Sequence, residues 1–406
     1  MTTELTAREA PASYLVERAL IPTGYKQTEV GVVPEDWNVQ EIGQIAHLQR
    51  GFDLPTTKLQ EGSYPVVYSN GAMNYHNVAM VRGPGVVTGR SGTLGKVHFI
   101  ETDFWPHNTS LWVTRFNNNA PRFIYYLYSS IGFERFSSGS GVPTLNRNDA
   151  HSFRVSLPPT KAEQEAIAEA LSDADALIAS LERLIAKKRQ IKQGAMQELL
   201  TSKKRLPGFG GEWEVKRLGE LANFFKGRGL PKSALVPFDG KPCIHYGELF
   251  TQYPETIREI ISRTKETKDS FRSVANDVLM PTSDVTPRGL AKASCVTVDG
   301  VILGGDILVI RSDRNKIFGP FLSYIIRYEE EQVLQLVAGS TVFHLYGSDM
   351  KKFTLSLPSI EEQTAIAAVL SDMDAEIAAL AARLAKARVV KQGMMQELLT
   401  GRIRLV

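Results

Sequence analysis

The chain has 406 residues, of which 43% are hydrophobic and 22% charged, with a formal net charge of +3; that length allows two or three domains, each burying its own core. No apolar run approaches the roughly 18–20 residues of a membrane span, and the N-terminus lacks the apolar core of a secretory signal. Two cysteines, Cys243 and Cys295, cannot make a disulfide framework and the seven histidines show no paired metal spacing, so a cytoplasmic protein without a zinc site is expected.

In chain order, residues 1–27 form an N-terminal extension with no counterpart elsewhere, expected to pack near the C-terminal end of the chain. Residues 28–158 follow as a variable block, in which the segments 64–68, 85–88 and 110–113 read as short strands and 125–136 as a helix. Residues 159–205 read as a long helix. A second variable block, 206–358, offers strands at 295–298 and 307–310 and a helix over 321–336. Residues 359–406 read as a second long helix.

The two long helices are near copies: 164–201 and 363–400 agree at nearly two-thirds of their positions without a gap. Ile167, Leu171, Ala174, Ile178, Leu181 and Ile185 recur at alternating four- and three-residue steps, as do Ile366, Leu370, Met373, Ile377, Leu380 and Leu384. That spacing is a coiled-coil seam. Each seam needs a partner, and the other copy is the most economical one. Paired antiparallel, helices of roughly 57 Å would make a rigid spacer between the blocks. Gly194 and Gly393 interrupt the copies at the same place, which predicts a kink or a close helix contact there.

The repeat extends into the blocks. Pro34-Glu35-Asp36-Trp37-Asn38-Val39 is echoed by Gly211-Glu212-Trp213-Glu214-Val215, and Arg50-Gly51 by Lys226-Gly227. Gly139-Ser140 with Leu145 answers Gly339-Ser340 with Leu345, and both blocks close on Ser-Leu-Pro, at Ser156 and Ser356. Such a long repeat is a strong signal. The chain also ends on a pattern, Leu399 to Leu405, that matches the first helix end at Leu200 to Leu206, so joining the C-terminus to the Trp37 segment would close the pattern into a circle.

Catalytic signatures fail. The stretch Gly89 to Lys96 lacks the glycine spacing of a phosphate loop, and Val97 stands where Ser or Thr would hold magnesium. Pro158-Pro159 is followed by Thr160, unlike the segment amino-methyltransferases use. Glu266-Thr267-Lys268 lies in a charged stretch that reads as solvated surface. What remains is binding chemistry on glycine-rich turns. The first block offers Arg50, Asn70, Arg90, Ser91, Thr93, Lys96, Asn108, Asn146 and Arg147. The second offers Lys226, Arg228, His245, Tyr246, Ser283, Thr286, Arg288, Lys292, His344 and Tyr346. Arg and Lys fork onto guanine, Asn onto adenine, and Ser or Thr onto phosphates or base edges. The same residue types also favour turns regardless of function.

The segment Thr28 to Trp37, the Ser-Leu-Pro closures, Glu163-Gln164 and Glu362-Gln363, and the two Lys-Gln-Gly-x-Met-Gln-Glu-Leu-Leu-Thr helix ends resemble the specificity subunits of type I restriction-modification systems, over nearly the whole chain. The resemblance implies an α+β fold: two mixed α/β target-recognition domains separated by two long antiparallel coiled-coil helices, a pseudo-twofold repeat. It implies a non-catalytic reader of a bipartite, asymmetric site in double-stranded DNA. Two modification (methyltransferase) subunits and the restriction (motor-nuclease) subunits are the implied partners, and S-adenosylmethionine, ATP and Mg are expected on those partners, with no cofactor on this chain. The alternative is a two-headed coiled-coil scaffold that binds proteins; steep loss of DNA affinity with salt separates the two.

Overall fold

A computed structural model describes residues 21–138, 142–265 and 268–405; most of the N-terminal extension, Gly139-Ser140 and the Glu266-Thr267 pair lie outside the described residues. The chain divides into two compact units, one of Met1–Ser180 with Leu384–Val406 and one of Leu181–Arg383. Four helices organise them: α1 (Pro121–Ile131), α2 (Lys161–Leu199), α3 (Gly319–Tyr328) and α4 (Ile360–Leu398). Each unit therefore combines one variable block with the beginning of one long helix and the end of the other. No helix among the described residues is long and apolar enough to cross a membrane.

In the first unit, Leu48–Arg50, Ser110–Val113, Gly85–Gly89 and Val97–Ile100 form an antiparallel four-stranded sheet in that order. A three-stranded sheet of Gly71–His76, Tyr64–Tyr68 and Trp105–Pro106 stands beside it. Asn38–Glu41 pairs with Arg154–Leu157, so the block opens and closes on one two-stranded ribbon. The second unit repeats that closure with Glu214–Arg217 against Thr354–Leu357. Its main sheet has five strands, ordered Ala222–Lys226, Ile307–Ser312, Asp277–Pro281, Ser294–Val296, Thr256–Ile257. A second five-stranded sheet contains Lys241–Ile244 and Ile302–Leu303. The Gly85–Gly89 strand, and Asp277–Pro281 after its first residue, are buried runs of apolar or small residues, as strands covered on both faces require; the buried Asp277 carboxylate is paired with Arg311 at 2.7 Å.

The Arg50-Gly51 and Lys226-Gly227 pairs have a physical reason to recur. A Cβ on Gly51 would overlap the His107 carbonyl oxygen, and one on Gly227 the Gly304 carbonyl oxygen. Only glycine lets these backbones meet.

The block helices differ in extent from the sequence expectation. Helix α1 starts earlier, because Pro121 fits a first helical turn, and stops at Gly132, which takes a left-handed φ of 70°. A 3₁₀ turn over Phe133–Phe136 follows. The helix expected over 321–336 is α3 plus a separate short helix, Glu330–Leu334, divided at Glu329.

Within each unit the long-helix segments run antiparallel. Asp175 on α2 meets Lys391 on α4 in the first unit, and Glu163 further back on α2 meets Arg404 beyond the end of α4. Lys192 meets Asp374 in the second unit, and Arg205 meets Glu362. The seam serves two partners. Ile167 and Leu171 are fully buried in the first block's core together with Leu398, the last residue of α4, and Leu399 just beyond it. Ile366 and Leu370 do the same in the second core with Leu199 and Leu200. Each such side chain contributes about 1.5–3 kcal/mol of burial. The close contact expected at Gly194 and Gly393 does not exist: both helices run through these positions, and a Cβ at either would meet nothing within 4 Å.

Candidate nucleic-acid interface

The first block gathers its polar turns at one crossing. The Leu145 amide donates to the Arg90 carbonyl at 2.8 Å, and the Arg90 amide to the Thr109 carbonyl at 2.8 Å. Ser91 bridges Thr144 as an isolated antiparallel pair. These bonds place Arg90, Ser91, Asn108 and Asn146 on neighbouring loops. The Arg90 guanidinium donates to the Asn108 backbone carbonyl at 3.4 Å, while the Asn108 side-chain Nδ2 donates to Asp53, which also lies 3.7 Å from exposed Arg50. His107 is drawn below the ordinary histidine value by burial, and its ring lies tilted beside Tyr68, with 4.3 Å between centroids.

The second block builds the same crossing from different side chains. The Leu345 amide donates to the Thr282 carbonyl at 3.0 Å, and the Thr282 amide to the Asp306 carbonyl at 3.0 Å. Ser283 pairs with His344 in a two-stranded ribbon. An open concavity of about 580 Å³ lies there, lined by Phe224, Phe225, Lys226, Ser283, His344 and Tyr346 among others. The His344 and Tyr346 rings are 6.1 Å apart and nearly parallel, and Tyr346 is 53% exposed. Lys226 forms an exposed pair with Asp306 at 3.3 Å. Leu145 and Leu345 are buried at corresponding points, so strand alternation turns 144 and 146, or 344 and 346, away from the core.

The remaining sequence-predicted residues have varied settings. Asn70 is exposed on the turn joining Tyr64–Tyr68 to Gly71–His76. Lys96 and Arg147 are exposed, and Thr93 is half-buried. Arg228 is exposed on the loop whose amide bonds the Leu303 carbonyl, beside the Ile244 carbonyl that receives the Gly304 amide. That juxtaposition brings Arg228 towards His245 and Tyr246. His245 accepts from the Gly247 amide at 3.1 Å and its ring lies tilted against Tyr246, with 4.9 Å between centroids, and Tyr246 packs against the core between the second block's sheets. Thr286 bonds Asp284 at 2.8 Å. Arg288 is held by Glu330 and Glu331 at 3.3 and 3.6 Å, and Lys292 is half-buried beyond it. Asn146 also spends its carbonyl oxygen capping a short helix at the Asn148 amide.

A second set of residues, unselected from the sequence as functional, ties each block to both long helices. The Tyr126 hydroxyl donates to Asp175 at 2.8 Å, Lys391 meets the other Asp175 oxygen at 2.6 Å, and its Nζ lies 5.6 Å from the Tyr126 ring centre. The copy has Tyr324 on Asp374 at 2.7 Å, Lys192 on Asp374 at 2.5 Å, and Lys192 5.3 Å from the Tyr324 ring centre. Burial, with the adjoining carboxylate, pushes both phenols well above their ordinary values, so they remain hydrogen-bond donors. Lys192 additionally meets Glu255 at 3.2 Å, and Arg327 meets Glu255 at 3.6 Å.

The Glu-Gln pairs explain themselves in space. Gln164 accepts from the Ala120 amide at 2.9 Å at the start of α1, and donates to Asn119 and the Pro158 carbonyl. Gln363 accepts from the Phe318 amide at 2.9 Å and donates to the Lys316 and Pro358 carbonyls. Glu163 and Glu362, both almost fully buried, receive Arg404 and Arg205, whose guanidinium carbons lie 5.9 and 5.8 Å from the Trp37 and Trp213 ring centres. Tyr25 donates to the Gly401 carbonyl at 3.0 Å, and Arg404 also forks onto Asp36 at 2.9 and 3.0 Å. The end of the chain thus returns to the Trp37 segment, closing the first unit.

Comparison with known proteins gives a consistent answer. The family model for the type I restriction modification DNA specificity domain matches residues 34–193 and again 210–387. A Methanocaldococcus jannaschii relative assigned to the MjaX type I restriction enzyme as a specificity subunit is 24% identical over 429 residues, covering 94% of this chain and 97% of its own. The MjaVIII specificity subunit of the same organism is 24% identical over 310 residues, or 70% of each chain. In structure, the S subunit of a type I restriction-modification system from M. genitalium superposes with a TM-score of 0.65 at 16% identity, covering 89% of this chain and 96% of that one.

Proposed function

Because the chain belongs to the family of type I restriction modification DNA specificity domains, we propose that it is the DNA-reading, non-catalytic subunit of a restriction-modification complex. Each block reads one half of a bipartite, asymmetric site in double-stranded DNA, and the paired helices hold the halves at a set gap. The observation that carries this reading is the repeated crossing: the same backbone frame presents Arg90, Ser91, Thr144 and Asn146 in one block and Thr282, Ser283, His344 and Tyr346 in the other. A constant frame with exchanged outward side chains is what two different half-sites demand, since base identity is read by side-chain chemistry at groove edges.

Two modification subunits dock on the helices in this reading, and restriction subunits join the assembly in the cytoplasm. Leu177, Leu184 and Ile191 support docking: they recur at heptad spacing on α2 and are each about two-fifths exposed or more, an apolar stripe suited to another helix. S-adenosylmethionine, ATP and Mg belong to those partners.

Modification-sensitive sequencing of the host genome, with each variant supplying the only copy of this subunit, tests the proposal. Arg90→Ala loses methylation governed by one half-site and Arg288→Ala loses that governed by the other, while co-purification with the modification subunit persists. Unchanged methylation in both variants overturns the assignment of those arginines, and salt-insensitive binding to duplex DNA overturns the reader itself.

A further inference from the structure

We infer that Asp175–Lys391 and Lys192–Asp374 are positioning residues, a pair of register locks that stop α2 and α4 from sliding past one another and so select the gap between half-sites. This inference rests on the spacer reading above.

Between the block cores, which take Ile167, Leu171, Ile366 and Leu370, the apolar seam cannot set register alone. Its residues are mostly Ala, Ile and Leu at heptad spacing, and such a pattern meets an equivalent pattern again after a slip of one heptad. Charged groups at single positions remove that degeneracy, as polar residues in coiled-coil seams do. Here both carboxylates are matched to one lysine each on the opposite helix, at 2.6 and 2.5 Å. The same number of residues separates Asp175 from Lys192 on α2 as separates Asp374 from Lys391 on α4. A slip of one heptad, about 10 Å, therefore breaks both pairs at once.

The locks also reach the DNA-reading blocks. Tyr126 lies on α1 and Tyr324 on α3, and both are nearly fully buried. Each phenol takes the carboxylate oxygen that the lysine leaves open. One aspartate thus fixes helix against helix and block against helix together. Glu255 extends the second lock by joining Lys192 to Arg327 on α3.

The test uses the full chain and duplexes that carry both half-sites with the gap varied in single base-pair steps. Asp175→Lys and Lys391→Asp are measured singly and together, with duplexes carrying one half-site as the reference. The wild type favours one gap by about tenfold or more over its neighbours, each single reversal flattens that preference to roughly threefold or less, and the double exchange restores the helix-to-helix pair and most of the preference, with the Tyr126 bond to residue 175 still lost. Affinity for one half-site stays unchanged throughout. Should a reversal fail to fold, Asp175→Asn with Asp374→Asn keeps the tyrosine hydrogen bonds, removes the charges and reads out the same preference. Folded variants that keep the wild-type gap preference overturn the locks. A wild type with no gap preference overturns the spacer reading instead.

Discussion

Gln363 offers a direct probe of how each block is joined to its long helix. The side chain is 1% exposed, accepts from the Phe318 amide at 2.9 Å, and donates to the Lys316 and Pro358 carbonyls at 3.0 Å each. Gln363→Ala leaves the first turn of α3 without its acceptor and two carbonyls without a donor. An orphaned buried group costs about 1–3 kcal/mol, so with three groups a loss of at least about 3 kcal/mol is expected, on the order of 6–12 °C in Tm for a unit of this size. Gln363→Glu is the sharper variant. Its carboxylate retains the Phe318 bond but turns a buried negative charge on two carbonyl oxygens, so at neutral pH it falls further than alanine. Acid protonates that carboxyl and narrows the loss. Thermal unfolding at pH 7 and pH 5 measures both, and amide hydrogen exchange locates the damage at α3. A Gln363→Glu protein as stable as wild type at pH 7 refutes the reasoning.

Three further outcomes follow from the same geometry. Burial pushes the Glu255 carboxyl up, but Arg327 and Lys192 outweigh it and hold the group below its ordinary 4.5; its stabilisation is present above that value and is lost as pH falls through the depressed one. The stability gap between wild type and Glu255→Gln therefore closes as acid is added below pH 4.5, and a pH-independent gap contradicts this. Gly51→Ala and Gly227→Ala force a Cβ into a facing carbonyl, costing about 1–3 kcal/mol; each weakens binding to its own half-site duplex and leaves the other intact. Inserting a heptad after Ala186 together with one after Ala385 lengthens both helices by about 10 Å, so the favoured gap grows by roughly three base pairs; an unaltered gap counts against the spacer.

The architecture was legible because it is written twice. Copying exposes the constant parts: the long helices, the tryptophan segments, the Glu-Gln pairs and the Ser-Leu-Pro closures all recur in both halves. Their partners were less visible. Asp175 meets a lysine far along the chain and a tyrosine on α1, and the only trace in sequence is that Asp175, Lys192 and their copies recur at matching positions. The seam periodicity could not say that Ile167 and Ile366 are taken by the block cores. At the proposed reading face, residue type alone could not separate Tyr346, exposed beside a concavity, from Asn146, partly committed to a helix cap, because turn formation and base recognition favour the same side chains.

The most direct measurement is the methylated motif written by a chain in which residues 214–357 are replaced with residues 38–157, so that both heads carry the first block. Modification-sensitive sequencing is expected to find a motif whose two halves are the same first half-site in inverted orientation, at the wild-type gap. A motif still containing the original second half-site contradicts the assignment of one half-site to each block.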